Sequence, residues 1–165
     1  MKNEDISLLW DEITPKLYGY LVNTLRDRNL AEDILQSTWL KAIEALPGFK
    51  EEGAGFSSWL FAIARNECRQ HWRKQGREIP FDLELHDKGE HDQTEKKHEE
   101  KIFVDQILAQ LSESDRELLR LRYIAGLPLD NIAKILKING VTARVRMHRA
   151  IKAARIVLEK NSNEK

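Results

Sequence analysis

At 165 residues the chain has room for one ordinary domain or two small ones, and its 41% hydrophobic residues suffice for packed cores. No apolar run approaches the roughly 18 residues of a membrane span, and the opening MKNEDISLLWDE lacks a basic-then-apolar signal pattern, so the expectation is a cytoplasmic protein without membrane insertion. A single cysteine, Cys68, excludes an internal disulfide framework, and the 27 bases and 27 acids cancel overall but not locally: residues 1–75 carry −1, 76–101 carry −4 and 102–165 carry +5.

Apolar residues recur every three or four positions with no sustained alternation, which predicts an all-α fold. The first helix is expected over about Glu4 to Arg26, with Ile6, Leu9, Trp10, Ile13, Leu17, Leu21 and Leu25 along one side. Pro15 removes an interior N–H, so either a kink or a fresh start capped by Thr14 is expected there. Asn29-Leu30-Ala31-Glu32 reads as the cap of a second helix that runs to about Leu46, where Pro47-Gly48 stops it. That helix is apolar on more than one side (Ile34, Leu35, Trp39, Ala42, Ile43, Leu46), so part of it should meet a partner.

Residues 49–58 read as a loop with Gly53, Gly55, Phe49 and Phe56, and Ser57 and Ser58 as caps of the next helix. That helix, about Ser58 to Lys74, should turn Trp59, Leu60, Ile63 and Cys68 inward. Its outward side carries Asn66 and a column of Arg65, Arg69 and Arg73 at four-residue spacing, with Trp72 and Arg77 nearby. Cations for phosphates beside flat apolar surfaces for unstacked bases are what single-stranded nucleic acid requires.

Residues 76–101 are dominated by Asp, Glu, Lys, His and Gln and read as a flexible acidic tether. The spacings of His71, His86, His91, His98 and Cys68 match no usual ligand pattern, so no metal and no cofactor is expected. A helix should resume at Ile102 with Val104, Ile107, Leu108 and Leu111 inward, and Ser114-Asp115-Arg116-Glu117 reads as a capping box opening another, which buries Leu118, Leu121 and Ile124 and ends at Gly126.

The last run is the most distinctive: Asn131 to Leu158 holds seven Lys or Arg and no acid. Ile132, Ala133, Ile135 and Leu136 form the stripe of a short helix, Lys137 to Gly140 a turn with Asn139 as N-cap, and Ala143, Met147, Ala150, Ile151 and Ala154 the inner side of a second helix. Arg144, Val145, His148 and Arg149 fall outside, which describes a helix-turn-helix whose second helix can enter a major groove. The four-helix unit from Ile102 onward is near the lower size limit for independent folding, so its core should be marginal alone.

Quoted in order, AEDILQSTWLKAIEAL, FSSWLFAIARNECRQHWRKQGR, LSESDRELLRLRYIAGLPLDNIAKIL and VTARVRMHRAIKAAR resemble the motifs of bacterial RNA polymerase sigma factors of the extracytoplasmic-function (ECF) type. The resemblance implies two small helical domains: a sigma2-like three-to-four-helix bundle over 1–76 and a sigma4-like helix-turn-helix bundle over 102–160, joined by a linker over 77–101. It further implies that Asp33, Leu35, Gln36 and Trp39 dock on the polymerase core, formed with its beta and beta-prime subunits. Phe49, Phe56, Arg65, Asn66, Arg69 and Arg73 would hold the melted, start-proximal (−10) promoter element, and Arg144, Val145, Arg146, His148 and Arg149 would read the upstream (−35) element. An anti-sigma protein is a further implied partner. Lys137 and Asn139 depart from the family's Gly and Pro, so the turn should be built differently, and Val145 departs from its Ser, which leaves the promoter sequence open. The chain lacks a Gly-rich phosphate loop, a nucleophile elbow and a His-Glu-x-x-His helix, so no enzymatic activity is expected. The alternative is a stand-alone helix-turn-helix regulator with an N-terminal sensor or dimerisation domain.

Overall fold

The computed structural model describes residues 3–51, 55–76 and 108–163, and every regular element among them is helical. In chain order these are α1 (Asn3–Leu25), α2 (Arg28–Ala45) with a short 3-10 turn (Leu46–Gly48), α3 (Gly55–Lys74), α4 (Glu113–Leu119) running on into a π-turn (Arg120–Ile124), α5 (Leu129–Leu136) and α6 (Gly140–Asn163). The expected helix start at Ile102 and the tether lie outside the described residues.

Helix α1 passes Pro15 without interruption. Both Pro15 and Asp11, the residue one turn before it, are exposed, so the carbonyl that loses its N–H partner faces water, and no cap forms at Thr14, whose Oγ1 is buried without a hydrogen-bond partner. Ile13, Leu17, Tyr20, Leu21 and Leu25 make the inner stripe. Arg26 then takes the left-handed conformation (φ 57°), and Asp27 caps α2 by accepting from the Leu30 amide at 3.0 Å. The cap expected at Asn29 is thus displaced by two residues, because the earlier carboxylate already serves the first free amide.

Helix α3 starts at Gly55 rather than Ser58. Ser58 therefore does not cap: it is buried inside the helix, and Phe56 joins the first turn and the core. Glu67 on α3 accepts from Ser37 Oγ at 2.7 Å and from Lys41 Nζ, a buried carboxylate that ties α2 to α3. Burial alone would raise its pKa, but the hydrogen bonds from Lys41 and Ser37 and the Lys41 charge outweigh that and hold it below the ordinary carboxylate range.

The box expected at Ser114 is corrected in the same way. Ser112 is the N-cap of α4, accepting from the Asp115 amide at 3.2 Å, with Glu113 and Asp115 in the first turn where the helix dipole favours acids. Glu113 also pairs with Arg116 and Arg120. The π-turn closes through Ala125 N to Arg120 O at 3.0 Å, and Gly126 (φ 70°) supplies the left-handed residue that ends it.

The two halves share one hydrophobic cluster. Leu17, Tyr20 and Leu21 of α1 and Leu60, Phe61 and Ala64 of α3 belong to the same buried set as Leu118, Leu121, Leu127, Ile132 and Met147. At the α1 contact Gly19 is set against the π-turn: a Cβ there would lie 3.3 Å from Ile124 Cγ2. A helical unit too small to bury its apolar faces alone gains the missing cover from its neighbour.

Candidate nucleic-acid and docking interfaces

The helix-turn-helix forms where the sequence places it. Helix α5 ends on Lys137 in the left-handed region (φ 55°), and Ile138 N donates to Ala133 O at 3.0 Å. Asn139 Oδ1 accepts from Thr142 N at 2.7 Å, the cap that the sequence predicts for α6. Ala143, Met147 and Ala150 turn inward and are buried. Arg144, Val145, His148 and Arg149 are exposed together, Arg146 is half-buried, and Val141 extends the outer face toward the turn. Arg144 and His148, like Val145 and Arg149, are spaced four apart and so stack along one side. This surface offers charged donors and an apolar contact on a single helix, the element a major groove admits.

The second cationic surface is less open than its sequence suggests. On α3, Asn66 and Arg73 are exposed and Arg65 and Arg69 are half-buried, but Arg65 is engaged within the chain. Its Nε donates to Glu117 Oε1 at 2.5 Å and its Nη2 to Glu117 Oε2 at 3.4 Å, a two-pronged pair reaching from α3 to α4. Burial works against the Arg65 charge, yet the hydrogen bond and charge of Glu117 outweigh it and hold the guanidinium above its ordinary pKa. A capping box opening at Ser114 would hold Glu117 at the helix start; with Ser112 as the cap, Glu117 stands a full turn into α4 and reaches across.

The aromatic residues divide likewise. Trp72 is buried and offers no stacking surface. Phe56 is buried against Trp39, at 6.1 Å between ring centres. Phe49 is half-exposed, packed on Trp59 at 4.8 Å, and these two rings line an open cleft of about 260 Å³ with Lys50, Ser58, Lys134 and Ile135. Lys134 and Ile135 belong to α5, so the helix-turn-helix unit forms one wall of a cleft whose other walls come from α3 and the loop before it.

Helix α2 presents Asp33, Gln36, Leu40 and Ile43, all exposed and aligned at i, i+3, i+7 and i+10. Leu35 is half-buried, and Trp39 is only 2% exposed, packed on Trp10 at 4.5 Å. The apolar part of this face is therefore Leu40 and Ile43 rather than Trp39. Fixing the helix phase on Ala31, Ile34, Thr38 and Ala42, all buried, places positions 40 and 43 outside. Cys68 is buried and its thiol is pushed up to about 12, chiefly by burial, so it stays protonated. Among the described residues no helix is long and apolar enough to cross a membrane, and no three His, Cys, Asp or Glu gather to hold a metal; His86, His91 and His98 lie outside them.

The chain is similar to known proteins over nearly its whole length. The family profile "Sigma-70 region 2" matches residues 9–78, and "Sigma-70, region 4" matches residues 104–153. The RNA polymerase sigma-H factor of Pseudomonas aeruginosa is 31% identical over 151 residues, covering 84% of this chain and 78% of that protein. The ECF RNA polymerase sigma factor SigX of Bacillus subtilis is 27% identical over 165 residues, covering 94% and 84%. In fold, the chain resembles the sigma factor RpoE of Bartonella quintana, solved in complex with the anti-sigma factor NepR, with a TM-score of 0.70 over 94% of this chain and 98% of that one at 24% identity.

Proposed function

The chain belongs to the RNA polymerase sigma factors of the ECF type and directs promoter-specific transcription initiation, and from that premise we propose how its surfaces divide the work. Sigma factors are non-enzymatic initiation factors, and this chain acts by binding alone, in the cytoplasm. Residues 1–76 form the unit that docks on core polymerase and holds the melted −10 strand, 77–101 the linker, and 102–160 the unit that reads the −35 duplex.

The observation that carries the reading is the outer face of α6, where Arg144, Val145, His148 and Arg149 stand exposed on the second helix of a helix-turn-helix without an acid among them. Arg144 and Arg149 contact base edges or phosphates, Val145 a thymine methyl, and Arg146 a phosphate. On α3 and its loop, Asn66, Arg69, Arg73, Phe49 and, once uncovered, Arg65 hold the melted strand; Phe56 supports Phe49 from the core. On α2, Asp33, Gln36, Leu40 and Ile43 meet the polymerase clamp, with Leu35 at the edge and Trp39 as their buried backing. An anti-sigma protein like the one bound to RpoE would regulate access to these faces. The match to region 2 over residues 9–78 favours this reading over a stand-alone regulator.

The test is binding of holoenzyme to the promoters it occupies in its host. Arg149→Ala should weaken binding to the upstream element by about 1–3 kcal/mol and relax its sequence preference, as for a base-reading arginine. Equal loss over all sequences would reassign Arg149 to phosphate, and failure of the chain to bind core polymerase would overturn the assignment of α2.

A further inference from the structure

We propose that α6 reads methyl groups: Val141 and Val145 seat two pyrimidine C5 methyls of the upstream duplex, so that 5-methylcytosine is accepted there in place of thymine. The inference rests on the assignment of α6 to the −35 element made above, and it names the base feature that is read. Val141 is 62% exposed and Val145 52%, both in the first two turns of α6, the end from which a recognition helix reaches base edges. Val141, Val145 and Arg149 follow one another at four-residue spacing and so form one exposed column, beside a second of Arg144, His148 and Lys152. The first column is apolar over its first two positions, whereas the second is polar throughout.

Major-groove chemistry leaves such a pair one target. The groups that base edges present there are hydrogen-bond donors and acceptors, apart from the C5 methyl of thymine. A valine set against a ring nitrogen, a carbonyl or an amino group takes that group out of water without replacing its hydrogen bond, which is a net loss. Against a methyl it removes two apolar surfaces from water. Because valine makes no hydrogen bond, it does not distinguish the O4 acceptor of thymine from the N4 donor of cytosine, and 5-methylcytosine presents the same methyl at the same ring position.

A valine side chain is short, so it reaches a base only where the helix backbone comes close. The start of α6 permits that approach: Gly140 has no side chain, Thr142 is half-buried and Ala143 is buried, so the neighbours of Val141 add little bulk on the outer side. Asn139 is turned back onto the Thr142 amide as the cap. The two valines stand about 6 Å apart along the helix, against about 3.4 Å between successive base pairs, so the methyls they meet belong to pairs no more than two steps apart. Arg144, Arg149 and Lys152 surround the pair with charge complementary to the duplex, and contacts of this kind to phosphates fix the register in which the valines meet the bases.

The experiment uses holoenzyme reconstituted with the full chain and the promoter duplexes that it selects from a random-sequence pool. Each thymine of the upstream element is replaced in turn by deoxyuridine, which removes the methyl and keeps every hydrogen-bonding group, and affinity is measured for the parent, Val141→Ala and Val145→Ala. Both valines are exposed and alanine favours the helix, so the variants keep the fold. The expected result is two positions at which deoxyuridine weakens binding by the parent about fourfold, the weight of one buried methyl group, with one of these effects lost in Val141→Ala and the other in Val145→Ala. Cytosine at either position should bind about fourfold more tightly when it carries the C5 methyl, in the parent but not in the matching variant. If deoxyuridine changes nothing while base-pair changes in the element still weaken binding, methyl reading is overturned and α6 keeps its assignment. A deoxyuridine effect that survives in the Val141→Ala/Val145→Ala double variant would also overturn it, since the methyl would then act through the shape of the duplex. An upstream element in which no base-pair change alters binding would overturn methyl reading together with the assignment of α6.

Discussion

Lys137 shows how a single backbone position records a sequence choice. The left-handed residue that ends α5 is a lysine, held there by the bonds of Ile138 and Lys137 amides to the last turn of the helix. A side chain in this region costs on the order of 1 kcal/mol, so Lys137→Gly should stabilise the chain by up to about 1 kcal/mol in urea unfolding, with the turn geometry unchanged. Glu67 is a second informative residue. Its carboxyl is held below the ordinary range in the folded chain, so the stability it contributes is complete above the unfolded value of 4.5 and is lost as pH falls through the folded value. Glu67→Gln should cost about 1–3 kcal/mol at neutral pH, as for a hydrogen-bonded charge, and should flatten the acid limb of a stability-against-pH profile. A parent profile already flat below that pH would show that the Lys41 and Ser37 bonds do not persist in solution.

At the scale of an element, α2 carries two functions on adjoining faces of one helix. Trp39 lies inside, stacked on Trp10 and backed by Phe56, whereas Leu40 and Ile43 lie outside at 60% and 51% exposure. The two kinds of substitution should therefore separate. Trp39→Ala should destabilise the fold by about 3–5 kcal/mol, the cost of emptying a buried aromatic site. Leu40→Asp should leave the melting temperature within a degree or two yet weaken binding to core polymerase at least tenfold, measured by titration of labelled chain. If Leu40→Asp bound polymerase as well as the parent, the docking surface would have to be sought on another helix. In α1 the same division explains Pro15, which is tolerated because it stands on the face turned to water.

Across the whole molecule, the decisive feature is the shared core. Leu121, fully buried in the π-turn, sits in the cluster that joins the two halves. Leu121→Ala should cost about 2–5 kcal/mol, and hydrogen exchange should show the full loss in α4–α6 and a smaller one in α1, the helix that leans on the π-turn. Exchange unchanged in α1 would mean that the halves unfold independently.

The all-α class, the helix-turn-helix, its Asn139 cap and the outward set Arg144, Val145, His148 and Arg149 were legible in the chain itself, because periodicity and capping act over three or four neighbouring residues. The starts of α2, α3 and α4 were misjudged by two or three residues, since several capping side chains compete at each and packing selects among them. What only the tertiary structure decided is which faces remain open: that Trp39, Phe56 and Trp72 are core, and that Arg65 meets a carboxylate 52 positions away on a different helical unit. Local pattern fixes the side of a helix on which a residue lies; what covers that side depends on contacts between segments far apart in the chain, where the pattern of either segment alone contains no record of the other.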